Sequence, residues 1–337
     1  MADLSTSYMG ISLKNPIIVG ASNMSLKVEN LRKIEQAGAG AIVYKSLFEE
    51  QIQLESIQLQ DELDLYNERH AEMIKLFPDM EHAGPQEFLM NLRNARQEIK
   101  IPLIASLNAV YKETWVEYCK LLEGTGVDAL ELNFYSVPQD LNLESSNIEK
   151  QQIEILQSVK KVVKIPVSVK LSPFYTNPLN MISKLDAAGT NGFVLFNRLF
   201  QPDIDINKIE HTTPLHLSSE EDNRLPLRYA GLLYKNIKGS ICSNTGIFTG
   251  KDVIKMILAG ADCVQVVSTV YKYKMEVIGK MLAEIEEWMT VNKFNKLSDF
   301  RGKLSKNSIK DPFIYKRAQY VDLIMKSEEI VKKYPMV

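Results

Sequence analysis

The chain has 337 residues, 45% of them hydrophobic and 24% charged, with a formal net charge of −2. That is the composition of a globular protein with a large core, and it offers no basic excess for a nucleic-acid or membrane partner. The longest apolar runs are strand-sized, too short for a membrane-spanning helix. The first ten residues, MADLSTSYMG, lack a basic region followed by an apolar one, so no secretory signal is expected.

Cys119, Cys242 and Cys263 lie far apart and form no C-x-x-C. An iron–sulfur cluster within the chain is therefore not expected, and the thiols read as those of a reduced, cytoplasmic protein. His70, His82, His211 and His216 show no metal-ligand spacing, so no metal site is expected.

Short apolar runs alternate with helical patterns along the chain. Pro16 to Gly20 reads as the first strand, with Ala21, Ser22 and Asn23 at its end. A helix follows from Lys27 to Ala37, stopped by Gly38 and Gly40. Ala41 to Ser46 is the second strand, ending in Lys45 and Ser46. From Leu47 to Lys100 no strand is expected, although Gln86 to Glu98 has a helical pattern. So long an insertion after a strand points to a functional loop region.

Pro102 to Leu107 is the third strand and Lys112 to Glu123 the helix after it. Ala129 to Phe134 is the fourth strand, and Pro138 ensures that it has ended by then. A polar loop leads to a helix that Ser146 and Glu149 are placed to cap as a capping box. Val167 to Leu171 is the fifth strand, followed by a helix from Pro178 to Ala188. Gly192 to Asn197 is the sixth, with an irregular segment from Arg198 to Leu225 and a helix from Leu227 to Ile237. Ser240 to Asn244 is the seventh, with a helix from Lys251 to Ala259. Cys263 to Val267 is the eighth, and a helix from Lys274 to Val291 completes the cycle.

Eight strands alternating with helices predict an α/β fold, a (β/α)8 TIM barrel over residues 1–291, with the 47–100 insertion and a partly helical tail over 292–337. An open doubly wound sheet is the alternative, but no G-x-G-x-x-G follows the first strand.

Ligands of parallel α/β folds bind at the strands' C-terminal ends, so the residues there carry the function. Lys45, Lys170 and Asn197 each close an apolar run, and two lysines on one face can counter a flavin, phosphate or carboxylate charge. A partly buried lysine also needs such a counter-charge. The turns Asn244-Thr245-Gly246 and Val267-Ser268-Thr269 follow the last two strands, where barrels commonly hold a phosphate.

The stretches ALELNFYSVP, VKLSP, GFVLFN and NTGIFTGKD…AGADCVQVVST, with NPIIVGAS and VYKS near the start, resemble the corresponding stretches of dihydroorotate dehydrogenases. The resemblance runs from about Ser12 to Lys280 and implies an FMN-binding TIM barrel of the soluble, cytosolic branch. FNRLFQPDID and LPLRYAG are similar to a dihydroorotate-dehydrogenase-like subgroup. The resemblance implies FMN contacts at Ala21, Ser22, Lys45, Ser46 and Asn108, with Lys170 beside the flavin edge where negative charge develops. It implies that Thr245, Gly246, Ser268 and Thr269 hold the phosphate, and that Asn133 and Asn197 grip the substrate ring. Ser136 stands where the family places its catalytic base, so Ser136 and Lys45 are the catalytic candidates. It further implies a small-molecule substrate, pyrimidine chemistry and a homodimer.

The sequence also departs from the family. The Ser/Cys-Pro-Asn of the family is here Ser136-Val137-Pro138, which lacks the substrate-reading Asn. The Asn of the family's second loop has no clear counterpart, Asn67 being nearby in an unlike context. Arg198 follows Asn197 where the family has a small hydroxyl residue. Three readings follow. The chain is an FMN-dependent oxidoreductase acting on a dihydropyrimidine-like substrate, or an FMN-binding protein of the same fold without that activity, or a TIM-barrel enzyme binding a sugar phosphate. The oxidant is open among fumarate, a quinone, a nicotinamide and a partner iron–sulfur subunit.

Overall fold

The computed structural model describes residues 2–53, 85–198 and 201–325, together with 328 and 332. Positions 54–84 of the predicted insertion, Asn67 among them, lie outside the described residues, as does the end of the tail.

Eight parallel strands close into a barrel. They are β3 (Ile17–Val19), β4 (Ala41–Val43), β6 (Leu103–Asn108), β7 (Ala129–Phe134), β8 (Val167–Leu171), β9 (Gly192–Leu195), β12 (Ser240–Asn244) and β13 (Cys263–Val266). Their order around the sheet is β4-β3-β13-β12-β9-β8-β7-β6, and β4 pairs with β6 to close the ring, Ile42 opposite Leu103. Two short hairpins, β1 (Thr6–Tyr8) with β2 (Ile11–Leu13) and β10 (Asp203–Asp205) with β11 (Glu210–Thr212), stand apart from the ring. The short β5 (Leu47–Phe48) runs beside the end of β6.

The helices that return the chain between strands are α1 (Val28–Gln36), α2 (Gln86–Glu98), α3 (Lys112–Glu123), α4 (Ser145–Val162), α5 (Pro178–Ala187), α6 (Arg224–Leu233) and α7 (Gly250–Ala259). After the last strand come α8 (Ser268–Tyr273) and α9 (Val277–Val291), and α10 (Ala318–Met325) lies in the tail. The α/β barrel expected from the alternation is therefore the fold.

Several boundaries differ from the sequence reading, β9 for example ending at Leu195 rather than Asn197, and at some of them the local cause is visible. β4 stops at Val43 rather than Ser46 because the Lys45 amide donates to Ser25 Oγ (2.8 Å) instead of to a strand. The expected capping box at Ser146 does not form. Helix α4 starts at Ser145, and Ser146 Oγ donates to the Glu144 carboxylate (3.2 Å). Helix α6 begins at Arg224, which places Pro226 in the first turn, where a missing N–H costs nothing. The final helix is split, because Lys274 takes φ +63° between α8 and α9. Ser268 and Thr269, read as a turn, are the first residues of α8.

The strands alternate between two environments. One set of side chains, including Ile17, Val19, Ile42, Leu103, Leu130, Leu132, Val169 and Val264, packs outward against the helices. The other set faces the lumen. Its N-terminal end is apolar, built from Ile18, Ala41, Val43, Ile104, Ala129, Val194, Cys242 and Cys263. The β1–β2 hairpin closes this end, with Tyr8 and Met9 packed into the same cluster. Gly192 is required by that closure: a Cβ there would lie 2.8 Å from Met9 Cγ and 2.9 Å from Tyr8 Cε2.

The tail straps the outside of the barrel. Gly302 and Leu304 amides donate to the carbonyls of Ile257 and Leu258 at the end of α7, at 2.8 and 2.9 Å. Phe294 and Phe300 pack on Trp288, with ring centroids 5.6 and 5.0 Å away.

Helix α7 opens with a capping box. Thr249 Oγ1 accepts from the Asp252 amide (3.3 Å), and the Asp252 carboxylate accepts from the Thr249 amide and hydroxyl at 3.0 and 2.9 Å. Burial pushes the Asp252 carboxyl up, but hydrogen bonds from Lys255, Thr249 and the Phe248 amide outweigh it and hold the pKa below the usual 3.8. A carboxyl depressed by folding stabilises above its unfolded pKa and loses that contribution as pH falls through its folded one. Asp252→Ala is expected to cost about 2 kcal/mol near neutrality. Urea denaturation at a series of pH values should show the gap from wild type narrowing below about pH 4.

Candidate active site

At the C-terminal end of the lumen the inward positions turn polar. Ser106 and Asn108 come from β6, Glu131 and Asn133 from β7, Ser168 and Lys170 from β8, Asn244 from β12 and Gln265 from β13; all are buried. Register sets which of them are neighbours, with Asn133 opposite Lys170 and Asn244 opposite Gln265. Strands β7 and β13 stand on opposite sides of the ring, yet Gln265 Nε2 donates to Glu131 Oε2 at 2.5 Å. This bond crosses the lumen. Lys170 Nζ lies 3.9 Å from the other carboxylate oxygen of Glu131. Burial pushes the Glu131 carboxyl up, against the pull of Lys170 and the Gln265 hydrogen bond.

Two adjoining cavities, of about 590 and 390 Å³, open above this floor. Both fall in the range of small-molecule sites. They share Ala21, Ser22, Asn23, Lys170, Asn197 and Arg198. The smaller one adds Lys45, Ser46, Ser106, Asn108, Glu131 and Asn133. The larger one adds Thr245, Gly246, Gln265 and Ser268. Eleven of the thirteen site residues expected from sequence thus line one continuous space.

The bonds within it hold the side chains in place. Asn197 Nδ2 donates to Asn133 Oδ1 (2.9 Å), tying β7 to the end of β9. Ser46 and Ser106 hydroxyls lie 2.6 Å apart. Lys45 Nζ donates to Gln51 Oε1 at 3.3 Å. Ser22 Oγ is buried and has no hydrogen-bond partner among the described residues. Asn244 Nδ2 and Thr245 Oγ1 both donate to the Phe196 carbonyl at 3.1 Å.

The turn after β12 has two residues in the left-handed region, Thr245 at φ +79° and Gly246 at φ +73°. The close approach that demands glycine at 246 comes from the protein itself. A Cβ there would lie 2.4 Å from the Asn223 nitrogen. Ser268 Oγ accepts from the Ser218 amide (3.0 Å), and Lys272 Nζ donates to the Ser218 carbonyl (2.8 Å), so the 218 segment roofs this end.

Two expected residues sit elsewhere. Thr269 is buried, donates to the Phe248 carbonyl (3.4 Å) and lines neither cavity. Ser136 is exposed on the loop after β7 and lines a third cavity of about 310 Å³ with Phe134, Ser172, Tyr175 and Gln201.

Glu131 and Gln265 were not singled out from the sequence. The signal was available: Glu131 and Ser168 lie two residues before Asn133 and Lys170, on the same strand face. Arg198, noted only as a departure, lines both main cavities. Its guanidinium donates to the His216 carbonyl (2.9 Å) and lies 3.9 Å from the Asp222 carboxylate. Among the described residues, no three His, Cys, Asp or Glu side chains come together as a metal site, and no helix is long and apolar enough to cross a membrane.

The sequence profile named Dihydroorotate dehydrogenase matches residues 3–289. The chain belongs to the dihydroorotate dehydrogenase family. Similar proteins include the "dihydroorotate dehydrogenase B (NAD(+)), catalytic subunit" of Thermoplasma volcanium, 28% identical over 313 residues that cover 90% of this chain and 98% of that protein. The protein of the same name from Methanocaldococcus jannaschii is 28% identical over 293 residues, covering 84% of this chain and 92% of its own length. The match runs through the whole barrel and so includes every strand that carries a lumen-facing polar residue.

Gly246→Ala combines a positive φ with a contact that the Asn223 backbone cannot relieve. It is expected to lower stability by about 2 kcal/mol or more. A urea midpoint unchanged from wild type would show that the 219–223 turn can move aside.

Proposed function

We propose that this chain is a flavin-dependent oxidoreductase of the dihydroorotate dehydrogenase type, with FMN held in the two cavities above the Glu131–Gln265 floor. One observation carries the reading: Ser22, Asn133, Lys170, Asn197, Thr245, Gly246 and Ser268, from six different strand ends, line one space in a chain of this family. The donor set fits an FMN. Ser22 Oγ is buried without a partner among the described residues and can be satisfied by a ligand. A cation at one end and hydroxyl and backbone donors at the other suit a polar ring joined to a phosphate.

FMN, when bound, supplies the two-electron acceptor. Lys170 stands at the floor, where its ammonium stabilises negative charge gained by the ring system. Ala21, Ser22, Lys45, Ser46 and Asn108 form the wall toward β3, β4 and β6. Thr245, Gly246 and Ser268 take the phosphate end, and Thr269 holds that turn from beneath through Phe248.

Asn133 and Asn197, bonded to each other, keep further hydrogen-bonding capacity for a substrate ring. Lys45 and Arg198 put two cations at the mouth, which suits a substrate with an anionic group. Arg198 thereby stands in for the substrate-reading asparagine that the loop after β7 lacks. Ser136, on that loop, is the candidate base. A serine has little basicity at neutral pH, so its hydroxyl must pass its proton on to a neighbour or water.

The similar proteins are named as catalytic subunits, which supports a second, different chain as the electron acceptor. A homodimer of this chain is compatible with that arrangement.

The test begins with the visible spectrum of the purified protein after incubation with FMN, followed by anaerobic dihydroorotate. A flavin spectrum that bleaches is the expected result. A flavin spectrum that persists would keep the cofactor and reject the substrate. Ser136→Ala is expected to leave FMN content unchanged and lower the rate of flavin reduction by about 100-fold or more. An unchanged rate would remove Ser136 from the chemistry.

A further inference from the structure

Glu131 is the most expensive residue in the barrel lumen. Its side chain has no solvent exposure, whereas the preceding inward positions on β7 and its neighbour β6 are the apolar Ala129 and Ile104. A buried carboxylate is costly unless it is paired and hydrogen-bonded, and an aliphatic side chain would fill the same space without that cost. Glu131 is held on both sides. Gln265 Nε2 binds Oε2 from the opposite wall at 2.5 Å, and Oε1 faces Lys170 Nζ at 3.9 Å with no hydrogen-bond partner of its own among the described residues. Among the described residues, Lys170 is the one cation in an ion pair with Glu131.

Lys170 is one of the six residues that line both main cavities. A lysine has a flexible four-carbon stem and gains hydration by swinging toward solvent. The neighbouring strand supplies the opposing pull, since Glu131 lies one inward position below Asn133, the register partner of Lys170. The Gln265 bond fixes the direction of that pull.

We propose that Glu131 is a positioning residue for Lys170, its carboxylate anchoring the ammonium at the cavity floor and offsetting part of the positive charge that Lys170 presents to a flavin bound above. This rests on the flavin reading. The net charge felt by the ring is then set by the pair. Removing the carboxylate while leaving the lysine makes the floor more positive and favours the reduced, more negative flavin. Without Lys170, Glu131 loses its counter-ion and takes up a proton, so its replacement then changes little.

The experiment uses full-length protein loaded with FMN: wild type, Glu131→Gln, Lys170→Met and the double variant. The readouts are the FMN dissociation constant from fluorescence quenching and the two-electron midpoint potential from a dye-referenced spectral titration. Glu131→Gln is expected to raise the potential by about 30 mV or more, the two-electron equivalent of a tenfold change. Lys170→Met is expected to lower it. Adding Glu131→Gln to Lys170→Met is expected to change the equilibrium by less than about threefold. Gln265→Met, which frees the carboxylate from its fixed direction, is expected to shift the potential upward by a smaller amount, and it serves if Glu131→Gln does not fold. Equal potentials for wild type and the Glu131 or Gln265 variant, all binding FMN, would overturn the proposal alone. So would an equal shift with and without Lys170, since Glu131 would then act directly. Failure of the wild type to bind FMN would overturn the flavin reading and this one with it.

Discussion

The constraint on which this structure depends is that a closed parallel barrel has two sides, and each strand must serve both. Outward positions are apolar apart from Ser243 because helices cover them all round. Inward positions are shared between a packed apolar end and a polar end. The hydrogen bond from Gln265 to Glu131 crosses the lumen at the boundary between the two. Below it, the β1–β2 hairpin seals the apolar layer with Tyr8 and Met9. Above it, Asn133, Lys170 and Asn108 face a space that solvent or a ligand fills.

This division explains why the site residues come one or two at a time from many strands. The polar end takes the last one or two inward positions of a strand, as Ser106 and Asn108 on β6 or Glu131 and Asn133 on β7, and the remaining inward positions are mainly core. The site must therefore be assembled by the register between strands, such as Asn133 beside Lys170 and Asn244 beside Gln265. Loops contribute the remainder. Lys45 and Ser46 are held by Ser25 and Ser106, and Ser218 is roofed over the turn after β13 by Ser268 and Lys272. The family match and the cavity agree because both trace to those strand ends.

The polar end of the lumen also resolves a tension in the sequence. A lysine at a strand end needs a counter-charge, which points first to a ligand. The structure adds an internal one, Glu131, beneath Lys170, while among the described residues Lys45 Nζ bonds the neutral Gln51. The two lysines therefore differ in kind: one is fixed by the fold, and the other stands at the mouth with Arg198.

Strand and helix order were legible in the sequence because alternation of short apolar runs with amphipathic stretches is a local property. β7, β8 and β12 match the expected limits to the residue, as do α2 and α3. Where limits moved, as at Lys45, Ser146 and Lys274, a single side-chain bond or backbone angle intervened, and neither is written in hydrophobic pattern. The candidate site was legible as strand-end residues, since chain direction alone tells which end of a strand is the ligand end. Only the tertiary structure paired Glu131 with Gln265, because the two are 134 residues apart and meet only when the sheet closes. It also placed Ser136 in a neighbouring cavity and Thr269 under the turn, because where a loop side chain lies depends on what packs around it. The sequence determined which residues stand at the strand ends; ring closure decided which of them face each other, since contact across a lumen is set by strand number and register rather than by any local stretch of chain.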